Sequence, residues 1–254
     1  MPAHLDDIIA ELDRLLEPTR YADYCPNGLQ VPGRGEIGTV ATGVSAHLEL
    51  FREAGAAGAE LILVHHGIFW GSGPMVLDAA LKARLKELFD ANISLAAYHL
   101  PLDAHPTLGN NALLGRALGA ESLEPFAMHR DRTIGFLADF PGAGLEAREL
   151  FGRIRELTGR EPLVFDAGPE HVRRLGIVSG AGADYLGEAV AAGADAFLTG
   201  EPAERVMAQA REAHTHFVAA GHYATETLGV RGLGDHLAER FGLRHVFIDV
   251  PNPI

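Results

Sequence analysis

From about residue 38 onward the chain alternates short apolar runs with segments of helical periodicity, and it does so twice. Gly38–Val44 reads as a strand, His47–Ala57 as a helix, Glu60–His66 as a strand, Val76–Phe89 as a helix and Asn92–Tyr98 as a strand, after which Asn110 or Asn111 caps a helix to about Leu118. Further on, Thr133–Ala138, Arg174–Val178, Asp195–Thr199 and His216–Ala220 have strand character. Leu145–Thr158, Tyr185–Ala192, Ala203–Glu212 and Ala224–Phe241 have helical character. Strands separated by helices of about ten to fifteen residues build βαβ units, so the chain is confined to an α/β fold with a largely parallel sheet. An amphipathic helix precedes the alternation, with Leu5, Ile8, Ile9, Leu12, Leu15 and Leu16 at helical spacing and Pro18 closing the run.

The two passes through this grammar are related. Glu53-Ala54-Gly55-Ala56-Ala57-Gly58-Ala59-Glu60 aligns with Glu188-Ala189-Val190-Ala191-Ala192-Gly193-Ala194-Asp195, and an apolar strand follows each. We therefore expect two related α/β lobes, 1–123 and 124–254, forming one compact unit because no linker separates them. At 254 residues and 47% hydrophobic side chains the core is ample. The excess of 34 acidic over 21 basic residues, a formal charge of −13, repels phosphate backbones and argues against nucleic-acid binding. With Cys25 the single cysteine, an intramolecular disulfide and a cysteine-rich zinc site are excluded, and a reducing compartment is expected. No histidine is near Cys25 in sequence, which favours a packed thiol over a nucleophile. The chain opens with neither a basic leader nor an apolar signal core, and no apolar run reaches the ~20 residues of a membrane span, so we expect a cytoplasmic protein without a membrane partner.

The chemistry-bearing residues collect at strand ends. Ala96-Ala97-Tyr98-His99-Leu100-Pro101-Leu102-Asp103 and Ala219-Ala220-Gly221-His222-Tyr223-Ala224-Thr225-Glu226 share a design, an apolar run ending in a histidine with a carboxylate four residues on. His65-His66 closes a third strand. In open α/β sheets ligands gather at the carboxyl ends of strands, where all four histidines fall. Neighbouring strand residues point to opposite faces, so His65 and His66 suggest two ions rather than one, with Gly67 letting the backbone leave the sheet. Imidazoles and carboxylates suit hard or borderline divalent metals, and two such ions about 3.5–4 Å apart turn a bridging water into a nucleophile near neutral pH. His99 is open to three roles: ligand, hydrogen-bond partner of a ligand, or proton shuttle. For His105, His129, His171, His214, His216, His236 and His245 a structural role is expected. Gly180-Ala181-Gly182-Ala183 follows a strand but lacks a dinucleotide fingerprint, and Ser45 and Ser179 sit in no nucleophile elbow.

Asn27-Gly28-Leu29-Gln30-Val31, Val64-His65-His66-Gly67-Ile68-Phe69-Trp70, Tyr98 to Pro106 with Gly109-Asn110-Asn111, and Ala219 to Glu226 together resemble the NIF-three-like dinuclear metal centre proteins, commonly labelled GTP cyclohydrolase I type 2 homologues. The likeness spans essentially the whole chain in order. It implies two similar α/β lobes, a toroidal homohexamer and two divalent ions per subunit, held by His65, His66, Asp103, His222 and Glu226, with Asp103 or Glu226 bridging. His99 heads the family's histidine–aspartate motif and is our candidate catalytic residue. Tyr223 stands where close relatives often carry histidine, and the larger domain that some relatives insert between the lobes is absent. Zinc, iron, manganese and nickel all suit such a ligand set. The resemblance leaves two functions open: a metal-dependent hydrolase of a nucleotide or other small molecule, GTP among them, and a non-enzymatic metal-binding hexamer acting as metallochaperone or scaffold. An enzyme should pair the ions with a pocket carrying cation or amide donors. The acidic balance argues against a highly charged triphosphate, an effect that local basic residues such as Arg130, Arg132, Arg173 and Arg174 can offset.

Overall fold

A computed structural model describes residues 2–71 and 76–254. In chain order the elements are β1 (Ala3–His4), α1 (Leu5–Leu16), β2 (Gly28–Val31), β3 (Glu36–Ile37), β4 (Thr39–Ser45), α2 (Leu48–Ala56), β5 (Leu61–His66), α3 (Ala79–Ala91), β6 (Ser94–Ala97) and α4 (Leu100–Asp103). There follow α5 (Asn110–Ala117), β7 (Ser122–His129), β8 (Arg132–Asp139), β9 (Leu145–Glu146), α6 (Ala147–Thr158), β10 (Leu163–Phe165), β11 (His171–Val172) and β12 (Arg174–Val178). The chain ends with α7 (Leu186–Ala191), β13 (Ala196–Thr199), α8 (Val206–Glu212), β14 (His216–Ala219), α9 (His222–Thr225), α10 (Thr227–Phe241) and β15 (Arg244–Phe247). By their contacts the residues separate into two units, Met1–Leu102 with Gly229–Val250 and Asp103–Leu228 with Pro251–Ile254. That division differs from the sequence boundary at 123/124. The closing strand β15 joins the first unit because it pairs in parallel with β4.

The first unit's sheet has the order β15-β4-β5-β6-β2, parallel throughout except for β2. Parallel strands covered on both faces need continuous apolar runs, and Leu61-Ile62-Leu63-Val64 is one, every residue fully buried. α1 supplies Leu5, Ile8, Leu12 and Leu16 to the interior, each at roughly 1.5–3 kcal/mol of burial. α2 adds Leu50, Phe51 and Ala54.

In the second unit the order is β10-β14-β13-β12-β8-β7, with β12, β13 and β14 parallel and the others antiparallel. Its core gathers Leu114, Leu150, Ile154, Leu175, Ile177, Leu198 and Val218. The order of elements β1-α1-β2-β3-β4-α2-β5-α3-β6 recurs as β9-α6-β10-β11-β12-α7-β13-α8-β14. The recurrence extends to register, since Val40 opposes Leu61 as Leu175 opposes Ala196.

Some elements depart from the sequence reading. α3 starts at Ala79 rather than Val76, because the Asp78 carboxylate accepts from Leu81 N at 2.7 Å and caps it. Gly109 is the N-cap of α5, and Asn110 and Asn111 are buried inside it. The helix expected from Ala224 is two, α9 and α10, divided at Glu226 with φ −116° and ψ 7°. β7, β10 and β15 had no counterpart in the sequence reading. No helix among the described residues is long and apolar enough to cross a membrane.

Candidate metal centre

In the first unit the parallel strands deliver three imidazoles to their carboxyl ends. His65 and His66 are the last residues of β5, and His99 lies two residues past β6. One ligand atom from each falls within 4.8 Å of the others. The ring centroids of His65 and His66 are 4.6 Å apart and those of His65 and His99 4.9 Å. Gly67 follows for a reason of space. A Cβ there would lie 2.3 Å from the Gln30 amide, whose oxygen accepts from Ile68 N at 2.8 Å and fixes the exit of the strand.

Each ring is oriented by a neighbour. Nδ1 of the fully buried His65 donates to the Tyr98 carbonyl at 3.0 Å, which puts the lone pair on Nε2. His66 Nδ1 meets Ser45 Oγ at 3.0 Å. His99 Nδ1 donates to Asp23 Oδ1 at 2.7 Å. Asp23 also accepts from the backbone amides of Tyr24, Cys25 and Leu100 and from the Asn27 side chain. Burial works against its charge, but His99 and these donors outweigh that cost and hold the carboxyl down at about 2. His99 thus has one ring nitrogen fixed on an anion, which orients the ring and leaves Nε2 on its other side.

The second unit carries the remaining residues. Asp103 is buried, its Oδ1 accepting from Asn110 Nδ2 at 2.9 Å and from Ser179 Oγ at 3.1 Å. Asn111 steadies the same turn, its amide donating to Ile134 O at 2.7 Å while its oxygen accepts from Ser179 N at 2.7 Å. His222 opens α9 and Glu226 follows that helix, so the spacing of four does stack them, with Nε2 and Oε2 3.2 Å apart. His222 Nδ1 donates to Glu201, just past the end of β13. Burial alone would favour the neutral ring, but Glu226 and Glu201 override it and push the imidazolium up to about 9. Gly180 completes the cradle at φ +62°, since a Cβ there would lie 2.3 Å from Glu226 Oε1 and 3.0 Å from His222 Nε2. Its amide donates to Thr225 Oγ1 at 3.1 Å, which ties that turn to α9. A buried anionic seat that already attracts a proton, with a glycine where a side chain would fill it, is chemically fit for a cation.

Glu201 also lines an open cleft of about 410 Å³ with Arg160, Gly200, Gly221 and Pro253. Among the described residues the cation lining that cleft is Arg160, which the sequence reading had not singled out. Arg174 is engaged elsewhere, forked onto Asp139. Asp23, Glu201 and Gly180 were not singled out as site residues; the signals for them were the turn around Asn27-Gly28, the Gly-x-Gly after β12, and the internal repeat, which sets Thr199-Gly200-Glu201 opposite the strand end His65-His66. Among the other histidines, His216 is a core residue, 1% exposed and bonded to Gly168 N and Pro169 O, and His245 is held by Thr42 and Asp235. Burial pushes the Cys25 thiol up, as a packed residue requires.

The family model DUF34/NIF3 (NGG1p interacting factor 3) matches residues 3–253. The chain belongs to the NIF3 family. It is 44% identical over 254 residues to a Pseudomonas aeruginosa protein named GTP cyclohydrolase 1 type 2 homolog, covering 100% of both chains. An Escherichia coli NIF3 relative of the same name is 42% identical over 251 residues, with 96% of this chain and 98% of the relative covered. The crystal structure of a Thermus thermophilus protein superposes with a TM-score of 0.91 at 38% identity, over 99% of this chain and 100% of that one. These likenesses bear out the resemblance read from the histidine motifs and the mixed α/β architecture of the NIF3 fold.

Proposed function

We propose that His65, His66, Asp103, His222 and Glu226 hold two divalent cations, and that the protein, as a homohexamer, hydrolyses a nucleotide or another small molecule. The observation that carries this reading is an acceptor fixed on Nδ1 of ligand imidazoles at or beyond strand ends, the Tyr98 carbonyl on His65 and the Glu201 carboxylate on His222. Such an acceptor fixes ring orientation and tautomer and raises the basicity of the other nitrogen, an arrangement typical of metal-binding histidines. The mixed nitrogen and oxygen donors suit zinc, iron, manganese or nickel. When bound, such ions supply Lewis acidity and an acidified water near neutral pH. The chain's own part is then threefold. His65 presents a lone pair set by the Tyr98 carbonyl, and Ser45 orients the His66 ring. Asp103, His222 and Glu226 supply an anionic seat. His99, with Asp23 fixed on Nδ1, moves a proton at Nε2.

Both relatives described above are named GTP cyclohydrolase 1 type 2 homolog, so GTP heads the substrate panel. The test is metal content by plasma mass spectrometry on freshly purified, untagged protein, followed by hydrolysis of a nucleotide panel with and without chelator. Close to two ions per chain and chelator-sensitive turnover are expected. Two ions with no turnover on any nucleotide would transfer the reading to a metal-handling protein, and no bound ion would remove it.

A further inference from the structure

The chain's single tryptophan stands beside the histidine cluster and is 46% exposed. A half-exposed indole is costly to leave in water, and here it is also held still. Trp70 Nε1 donates to the Gly67 carbonyl at 3.0 Å, so the polar edge of the ring is tied back to the end of β5. On its two sides the chain is pinned as well, with Ile68 N bonded to Gln30 and Gly71 N to the Tyr24 carbonyl at 2.7 Å. The ring centroid lies 5.2 Å from that of His99 at an interplanar angle of 80°, and 5.6 Å from that of His66 at 56°. Trp70 is therefore a fixed wall of the histidine cluster with apolar surface turned to solvent.

We propose that Trp70 is the stacking platform on which the site receives a planar heteroaromatic ring, so that the substrate is held by one face of its ring and left open to attack at the opposite face. The inference rests on the hydrolytic reading above, which it narrows to substrates bearing such a ring. A flat ring gains both contact area and the offset-stacking term on an indole, whereas an aliphatic ligand gains only area. A ring parallel to Trp70 stands at the same 80° to His99 as the indole does. Charge points the same way. A net charge of −13 gives an anion no long-range pull from the chain as a whole, so contact with the ring adds affinity that overall charge does not supply.

Because Trp70 is the only tryptophan, its emission reports this site alone. The metal-loaded protein is titrated with guanosine, adenosine and cytidine, with ribose 5-phosphate as the ring-free control. Saturable quenching by at least one nucleoside and none by the control is expected. Equilibrium dialysis with the labelled nucleoside then compares Trp70→Phe and Trp70→Ala. The alanine variant should weaken binding by about five- to a hundredfold and phenylalanine should restore most of it, with the metal content of both unchanged. Equal affinity in Trp70→Ala and wild type overturns the inference, and so does a wild type that binds none of the three nucleosides. Emission that acrylamide cannot quench would mean that another copy of the chain covers the indole, which also overturns it. The two readings fail separately: ions and turnover with an indifferent Trp70→Ala remove only the stacking, whereas Trp70-dependent nucleoside binding without ions or turnover removes only the hydrolase.

Discussion

Gly180 shows how much of a site can hang on one missing methyl group. Its φ of +62° strains any L side chain, and the added Cβ would lie 2.3 Å from Glu226 Oε1. Gly180→Ala should cost about 1–3 kcal/mol in stability and lower metal content, measured by urea unfolding and plasma mass spectrometry. A variant that keeps both at wild-type values would show that the cradle does not matter. Asp103→Ala and Glu226→Ala should each lower metal content while the chain still folds. Asp103→Ala also leaves Asn110 and Ser179 without the carboxylate they share, a loss of roughly 1–3 kcal/mol. Two tightly retained ions in both variants would sink the ligand assignment. At this scale the sequence was most legible where the pattern is local. His65-His66 are adjacent, and His222 and Glu226 are one helical turn apart, so spacing alone pairs them. Asp23 reaches His99 across 76 residues and Glu201 reaches His222 across 21, and no periodicity links such pairs.

Elements were legible in proportion to their burial. The parallel strands β4, β5, β6, β12, β13 and β14 are apolar on both faces and stand out from any sequence. β7 escaped because its first residues are exposed and Pro125 interrupts the run, and β15 because Arg244-His245-Val246-Phe247 has no fully buried residue. What fixes β8 to β12 also lies outside hydrophobic patterning. Arg174 forks onto Asp139 with Nε–Oδ1 2.7 Å and Nη2–Oδ2 3.1 Å, at the end of the ladder where the two residues are cross-strand partners. Arg174 beside it holds the Asp139 carboxyl below its ordinary value. A carboxyl whose folded pKa lies below the unfolded one, about 3.9, contributes fully above that pH and loses its contribution as pH falls through the folded value. Both side chains are about one-third exposed, so solvent screening limits the pair to about 1 kcal/mol. Arg174→Ala should therefore unfold at lower urea than wild type at pH 7, and the gap should narrow at pH 3. A gap of the same size at both pH values would assign the loss to packing of the arginine stem.

On the scale of the whole chain, the repeat is the deepest thing the sequence encodes. A match of eight residues, Glu53–Glu60 on Glu188–Asp195, foretold a recurrence of nine elements with the same stagger between β4 and β5 as between β12 and β13. The sequence did not foretell that the contacts would divide the chain at Leu102 and return 229–250 to the first unit, because a terminal strand carries no mark of which sheet it will join. Assembly is the property for which charge makes the sharpest demand. Each copy brings a formal charge of −13, so a ring of copies gathers like charge that opposes closure at low ionic strength. Screening falls to about 8–10 Å at physiological salt and relieves that repulsion while leaving apolar contacts intact. The homohexamer proposed above should therefore tighten with salt. Mass photometry across a salt series should find six times the 27.1 kDa chain mass, with the hexamer persisting to lower protein concentration at 0.3 M salt than at 0.02 M. A monomer or dimer at every salt and concentration would rule out the hexamer, and dissociation on adding salt would mean that ion pairs, not apolar faces, hold the copies together.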